Sequence, residues 1–222
     1  MLMLLCSAAL PSVAAPESAA AQPVDAGWIL HALAQPVPAR TAFVELRGSP
    51  LLKTPLRIEG EYRRPDNDSL VREVRSPYAE TTTLRNGEAI IARAGKTPKK
   101  FSLARVPELA GLQAGFGALL SGDRASLEKH YRLGTEGTRQ HWTLVLVPIE
   151  TQVQASVRDI TLYGRGAELR CIETRPLKGD LQRTLLAGAA RAATGITTAQ
   201  ALATLCRADG AHPQRAHPES GH

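Results

Sequence analysis

The residues from Pro107 to Tyr131 read PELAGLQAGFGALLSGDRASLEKHY and form the longest run with helical spacing in the chain. Leu109, Leu112, Phe116 and Leu119 recur at i, i+3, i+7 and i+10, which draws one apolar stripe along a helix. Gly111, Gly115 and Gly117 each weaken that helix by up to about 1 kcal/mol relative to alanine. The pattern therefore predicts a weakly stable helical cover that is held by the surface on which its stripe packs.

The ordinary alternative is a core helix of an α+β domain that does nothing beyond packing, because apolar stripes usually belong to a core. After Gly122, Asp123 is suited to cap a second short helix that carries Leu127. Both interpretations place this helical region between segments that read almost entirely as strands.

About eleven short strands surround the helical region at hairpin spacing. In one of them Leu56, Ile58 and Tyr62 alternate with charged residues, so one face is apolar. The segment 142–148 is apolar on both faces and is expected to be covered on both sides. The spacing predicts an antiparallel, strongly curved sheet or open barrel. The predicted strands are 41–47, 56–63, 70–76, 79–85, 89–93, 99–103, 130–134, 138–148, 157–163, 167–174 and 180–186.

Short helices are predicted near both ends of the chain. Asp25 is suited to cap a helix that stops before Pro36, and a second helix is expected at 197–207. With 222 residues the chain is long enough for one sizeable domain, which we expect to occupy residues 22–207. The polar tail at 208–222 is predicted to be disordered.

The N-terminus has the composition of a secretory signal. An apolar run at 1–10 is followed by small residues around Ala14 and Ala21, although the usual basic residue near the start is missing. We therefore expect residues 1–21 to be a signal peptide and the mature protein to be soluble and outside the cytoplasm. No later run approaches the roughly 20 apolar residues that span a bilayer.

The chain is basic, with a formal charge of +6 and a pI near 9.5. Such a charge favours anionic surfaces, for example lipid headgroups or an acidic protein. The basic residues are scattered, however, and an aromatic content of 4% gives no stacking platform. We therefore expect no nucleic-acid partner and interpret most of these charges as solvated surface.

Two cysteines remain once the signal is removed, Cys171 and Cys206. In an oxidising compartment such a pair suggests one disulfide, which would join a late strand to the C-terminal helix. Two separate buried thiols are the alternative, since the sequence does not show whether the two cysteines are close enough to bond.

Catalytic and metal-binding signatures are absent from the sequence. Gly95-Lys-Thr97 imitates the end of a phosphate-binding loop, but Ile90 stands where the first glycine is required. His212, His217 and His222 lie in the predicted tail, where nothing would fix metal geometry. The sequence therefore predicts a protein that is not an enzyme and that holds no metal or cofactor.

The order and spacing of several segments resemble the LolA-like outer-membrane lipoprotein carrier family, particularly a divergent branch found beside aryl-polyene pigment genes. The resemblance covers residues 28–187. The segments that carry it are Phe43-Val-Glu-Leu-Arg47, Leu51-Leu-Lys-Thr-Pro-Leu56, Gly60-Glu-Tyr-Arg-Arg-Pro65, Asn86-Gly87, Val106-Pro-Glu-Leu109, Leu119-Leu-Ser-Gly-Asp123, Leu127-Glu-Lys-His-Tyr131 and Trp142-Thr-Leu-Val-Leu-Val-Pro148.

The resemblance implies an unclosed, half-open barrel of eleven antiparallel strands whose apolar concave face holds acyl chains beneath a helical lid. It also implies a monomeric periplasmic carrier that accepts acylated lipoprotein or lipid from an inner-membrane exporter and delivers it to an outer-membrane acceptor. Two alternatives stay open. The cargo could be a pigment-linked acyl chain, or the domain could be a lipid-sensing regulatory module.

On this resemblance we assign groove and lid residues as hypotheses. The groove is expected to be formed by Leu56, Ile58, Tyr62, Leu144 and Leu146. The lid is expected to present the apolar stripe of Leu109, Leu112, Phe116 and Leu119. Arg64, in the pair Arg64-Pro65, matches the family's arginine that hydrogen-bonds the closed lid, and the alternative for it is an exposed turn residue.

Overall fold

The structure is a computed structural model that describes residues 23–47, 55–103, 118–119 and 121–207. Its eleven strands follow one another along the chain much as the sequence predicts. They are β1 (Ala39–Arg47), β2 (Leu56–Arg64), β3 (Ser69–Ser76), β4 (Glu80–Arg85), β5 (Glu88–Arg93), β6 (Lys99–Ser102), β7 (Tyr131–Gly137), β8 (Trp142–Pro148), β9 (Val157–Arg165), β10 (Glu168–Pro176) and β11 (Gln182–Leu186).

All eleven strands belong to one antiparallel sheet in the order β6-β5-β4-β3-β2-β1-β11-β10-β9-β8-β7. Neighbours along the sheet are mostly neighbours in sequence, because hairpins connect them. The exception is β1, which pairs with β2 on one side and with β11 on the other. Within the described part of the chain β6 and β7 remain as edges, so the predicted unclosed sheet is confirmed.

Five short helices accompany the sheet in the described residues. Asp25 and Asp123 cap the first two as predicted, since their carboxylates accept the N–H groups of Trp28 at 3.0 Å and Ser126 at 2.9 Å. The third and fourth helices were not predicted. The helices are α1 (Ala26–Leu33), α2 (Arg124–Glu128), α3 (Thr151–Gln154), α4 (Ala187–Ala192) and α5 (Ala199–Arg207).

One face of the sheet, which we call the inner face, wraps around α1. Ile29, Leu30 and Leu33 of α1 belong to a single buried cluster that includes side chains from β3 at one extreme and from β7 and β8 at the other. A flat sheet from β3 to β7 would span about 33 Å, whereas an α-helix is only about 10–12 Å wide. The sheet must therefore curve strongly, with the inner face concave.

The opposite, outer face is covered by α4 and α5. Val44, Leu185 and Cys171 alternate with inner-face neighbours and pack against Ala189 and Leu202 of these helices. A disulfide joins Cys171 on β10 to Cys206 on α5, with a Cα–Cα distance of 5.2 Å. The C-terminal helix is thus linked covalently to the strand beneath it. The predicted signal peptide and tail lie outside the described residues.

Candidate lipid-binding groove

All five predicted groove residues lie on the inner face. Ile58 of β2 and Leu144 and Leu146 of β8 are buried in the cluster around α1, while Leu56 and Tyr62 pack against its border. The middle of the inner face is therefore occupied by α1, which the sequence predicted as a helix but not as a plug. Whether these five residues contact lipid stays a prediction.

An opening of about 80 Å³ lies where the C-terminal end of α1 meets the strands. Its apolar wall includes Leu33, Tyr62, Leu169 and Leu186. Because a bound water needs about 10–15 Å³ by this kind of measure, the opening holds roughly five to eight water-sized particles. It can accept the start of an apolar chain, and a longer chain requires α1 or its neighbours to move.

Polar groups from several elements also line the opening. The Glu168 carboxylate accepts the N–H of Gly188 at 2.8 Å, which satisfies a free donor in the first turn of α4. Gln35, Thr41 and Arg63 also line the opening. An apolar floor with a few polar groups at its margin is the usual composition of a small-molecule site.

Arg64, the last residue of β2, also lines the opening. Its side chain is buried, with 8% of the residue exposed, so the alternative of an exposed turn residue is wrong. The guanidinium donates to the Gln35 carbonyl at 3.3 Å, just beyond α1, and to Asn67 Oδ1 at 2.9 Å. Arg64 therefore ties the end of α1 to the β2–β3 turn. Its predicted contact with a closed lid stays a prediction.

The predicted lid stripe is only partly described. Leu109, Leu112 and Phe116 lie outside the described residues, whereas Leu119 is buried in the inner-face cluster beside Ala118. Gly122 follows with φ +73°, and a Cβ there would lie 3.2 Å from the Leu30 carbonyl of α1. The last turn of the predicted lid helix thus packs against α1.

A polar cluster on the inner face was missed by the sequence reasoning. The Arg72 guanidinium pairs with the Glu45 carboxylate at 2.6 Å and lies 4.7 Å from the centre of the Phe43 ring. The Phe43 ring in turn lies 4.8 Å from that of Tyr62. Burial raises the pKa of the Tyr62 hydroxyl, and the charge of Arg72 opposes this shift. The strand predicted at 70–76 was the available signal, because side chains alternate between the faces of a strand and Arg72 therefore shares a face with Val74.

No helix in the described part of the chain is long and apolar enough to cross a membrane. Nor does the described part bring together three histidine, cysteine, aspartate or glutamate side chains that could hold a metal ion.

Two solved structures are similar to this chain over about three quarters of its length. A LolA superfamily protein from Nitrosomonas europaea, NE2245, is 13% identical, with 74% of this chain and 92% of that chain covered and a TM-score of 0.39. LprF from Mycobacterium bovis is 14% identical, with 73% and 91% covered and a TM-score of 0.31. A search of curated proteins finds no match.

The family model described as "Outer membrane lipoprotein carrier protein LolA-like" matches residues 18–210, which is most of the chain. The match spans every described strand and helix, from α1 to α5. This protein therefore belongs to the LolA-like outer membrane lipoprotein carrier family, whose members are carriers and not enzymes.

Proposed function

We propose that this protein carries the acyl chains of a lipoprotein or lipid through the periplasm, from an inner-membrane exporter to an outer-membrane acceptor. Members of its family are typically periplasmic, and the Cys171–Cys206 disulfide is consistent with a compartment outside the cytoplasm. The observation that carries the proposal is a curved apolar face whose central contacts are made by a separate, eight-residue helix, α1.

Acyl chains need such a carrier because they cross water poorly. Each buried CH₂ contributes about 0.8 kcal/mol, so a sixteen-carbon chain represents on the order of 12 kcal/mol gross. The inner face offers apolar surface in Phe43, Ile58 and Leu144, and in this structure α1 packs on that surface. Cargo and α1 therefore compete for the same surface.

This competition allows both loading and release. An acyl chain entering beside Tyr62 would first meet the 80 Å³ opening and would then displace the contacts of Leu33. At the acceptor the helix would recover those contacts, which offsets part of the cost of losing the cargo. Release therefore needs no chemical step.

The proposal is tested by native mass spectrometry of the mature protein after gentle purification and after incubation with an acylated peptide. We expect a species that carries diacyl or triacyl lipid. Leu169→Glu places a charge in the opening and should abolish this species. Leu177→Glu, at an exposed turn just after the same strand, is the matched control and should leave it unchanged.

Two results would contradict the carrier assignment. One is a lipid-free protein under every loading condition. The other is equal loading of the Leu169→Glu and Leu177→Glu proteins, which would place any bound lipid away from the opening.

A further inference from the structure

The inner face changes chemical character along its strands. Around the opening it is apolar, whereas towards the far ends of β1, β3, β4 and β5 it carries charged side chains. The register fixes this placement: Val74, which is in the inner cluster, pairs with Glu80, and Glu80 pairs with Arg93. Tyr62 pairs with Arg72 in the same way.

Positive charge exceeds negative charge on this part of the inner face. Among the described residues of β1 and of β3 to β6, it bears four cations and two carboxylates. They are Arg47, Arg72, Arg93 and Lys99, and Glu45 and Glu80. Basic residues that are scattered in the sequence thus give this part of the concave face an excess of positive charge.

The centre of the surplus is a triad in which two guanidinium groups share one carboxylate. Arg72 Nη2 lies 2.6 Å and Arg47 Nη2 lies 2.9 Å from the same oxygen, Glu45 Oε1. One negative charge cannot neutralise two positive ones, so the triad keeps a net charge of about +1. Glu45 and Arg72 are mostly shielded from water, which reduces the screening of that charge.

Contacts between aromatic side chains connect the triad to the opening. Arg72 lies over the Phe43 ring, Phe43 contacts Tyr62, and Tyr62 lines the opening. Gly60 lies between these side chains in the β2 strand and has no side chain to separate them. Once α1 or its neighbours have moved, a molecule with an apolar chain beside Tyr62 can therefore place its polar end at Arg47 and Arg72.

From these observations we propose that the triad of Arg47, Arg72 and Glu45 binds the anionic phosphate or carboxylate of the cargo's headgroup. The proposal rests on the carrier function and narrows its cargo to acylated molecules with a negative headgroup. Guanidinium groups suit this role because they present paired donors to phosphate and carboxylate oxygens. Arg93, on a nearby strand, pairs with Glu80 but is half exposed, so it offers a further guanidinium to the headgroup.

The test compares uptake of two lipids with identical chains. The mature protein is incubated with vesicles of dipalmitoyl phosphatidylglycerol or dipalmitoyl phosphatidylcholine, separated from them, and analysed for bound lipid. We expect the wild-type protein to prefer the anionic lipid. Soluble glycerol phosphate in equal amount should not remove this preference, because it lacks the acyl chains.

Matched arginine variants separate the inner face from overall charge. Arg47→Gln and Arg93→Gln remove inner-face arginines whose side chains are 61% and 52% exposed. Arg40→Gln and Arg75→Gln remove outer-face arginines that are 67% and 55% exposed and that also form ion pairs. All four lose one positive charge at an exposed position, so we expect all four proteins to fold.

We expect each inner-face variant to lower the preference for the anionic lipid by about two- to fivefold, the change that one partly exposed charge pair gives. Each outer-face variant should keep the wild-type preference. Equal effects of inner and outer variants, or equal uptake of both lipids by the wild-type protein, would overturn the headgroup site and leave the carrier function standing. Removal of the preference by glycerol phosphate would show a site for free phosphate instead. Failure to take up either lipid would overturn both proposals.

Discussion

Gly60 shows how a single residue permits the inner face to form. A Cβ at this position would lie 1.9 Å from the Glu73 carbonyl oxygen of β3 and 2.8 Å from the Phe43 ring. Neither neighbour can withdraw cheaply, since one is backbone and the other is fully buried. The absence of a side chain therefore lets β2 and β3 pair closely while the Phe43 ring approaches the β2 backbone.

We predict that Gly60→Ala lowers the free energy of unfolding by about 1–3 kcal/mol, because the added methyl group overpacks this contact. Urea denaturation measures the change. Gly134→Ala is the matched control, since it also lies in a strand and its Cβ would meet only the Val145 side chain at 3.9 Å. Similar free energies for the two variants would show that the close approach at Gly60 relaxes easily.

The C-terminal helix α5 is held in place by a disulfide, buried side chains and ion pairs. Leu202 and Cys206 are buried on the side of α5 that packs against the sheet, and the disulfide links α5 to β10. Beneath it Glu173, which is buried, pairs with Arg183 and with Arg207 at 3.3 Å. The Tyr163 hydroxyl also donates to Glu173, and burial followed by the charge of Glu173 raises the pKa of Tyr163 to about 12.

We predict that the double variant Cys171→Ala/Cys206→Ala loses about 2–4 kcal/mol of unfolding free energy, because the cross-link between residues 35 apart restricts the unfolded chain. It should also be cleaved sooner within α5 by a protease. Denaturation under oxidising and reducing conditions gives the control, since only the wild-type protein should respond to reductant. A wild-type protein that is insensitive to reductant would contradict the role assigned to this bond.

At the scale of the whole molecule, the proposed carrier function would oppose stability and cargo binding on the inner face and leave them independent on the outer face. Leu30 of α1 and Leu185 of β11 are both fully buried, but they belong to different clusters. Leu30 packs in the cluster that cargo would have to open. Leu185 packs beneath α4 and α5, away from the proposed route.

We predict that Leu30→Ala and Leu185→Ala each lower the unfolding free energy by about 2–5 kcal/mol. Only Leu30→Ala should increase affinity for an acylated peptide, because its weakened α1 competes less with the cargo. Titration of a fluorescent acyl probe measures the affinity, and urea denaturation measures stability. An equal change of affinity in both variants would mean that α1 does not guard the binding surface.

The sequence alone determined the strands, two helix caps and the family. These features depend on neighbours along the chain: alternation defines Leu56, Ile58 and Tyr62 as one face, and a carboxylate at Asp25 or Asp123 reaches N–H groups three residues away. The order of such local signals also carried the resemblance to LolA-like carriers, which the family match confirms.

Tertiary structure alone decided what occupies the concave face. Local patterns predicted α1 as a helix, but only curvature of the whole sheet shows that its side chains fill the inner face. Likewise, alternation along β1 places Arg47 beside Glu45, but nothing in the sequence reveals that Arg72 shares this carboxylate, because β1 and β3 are separated by β2. Such contacts depend on strand register and sheet curvature, which arise from packing between residues far apart in the chain.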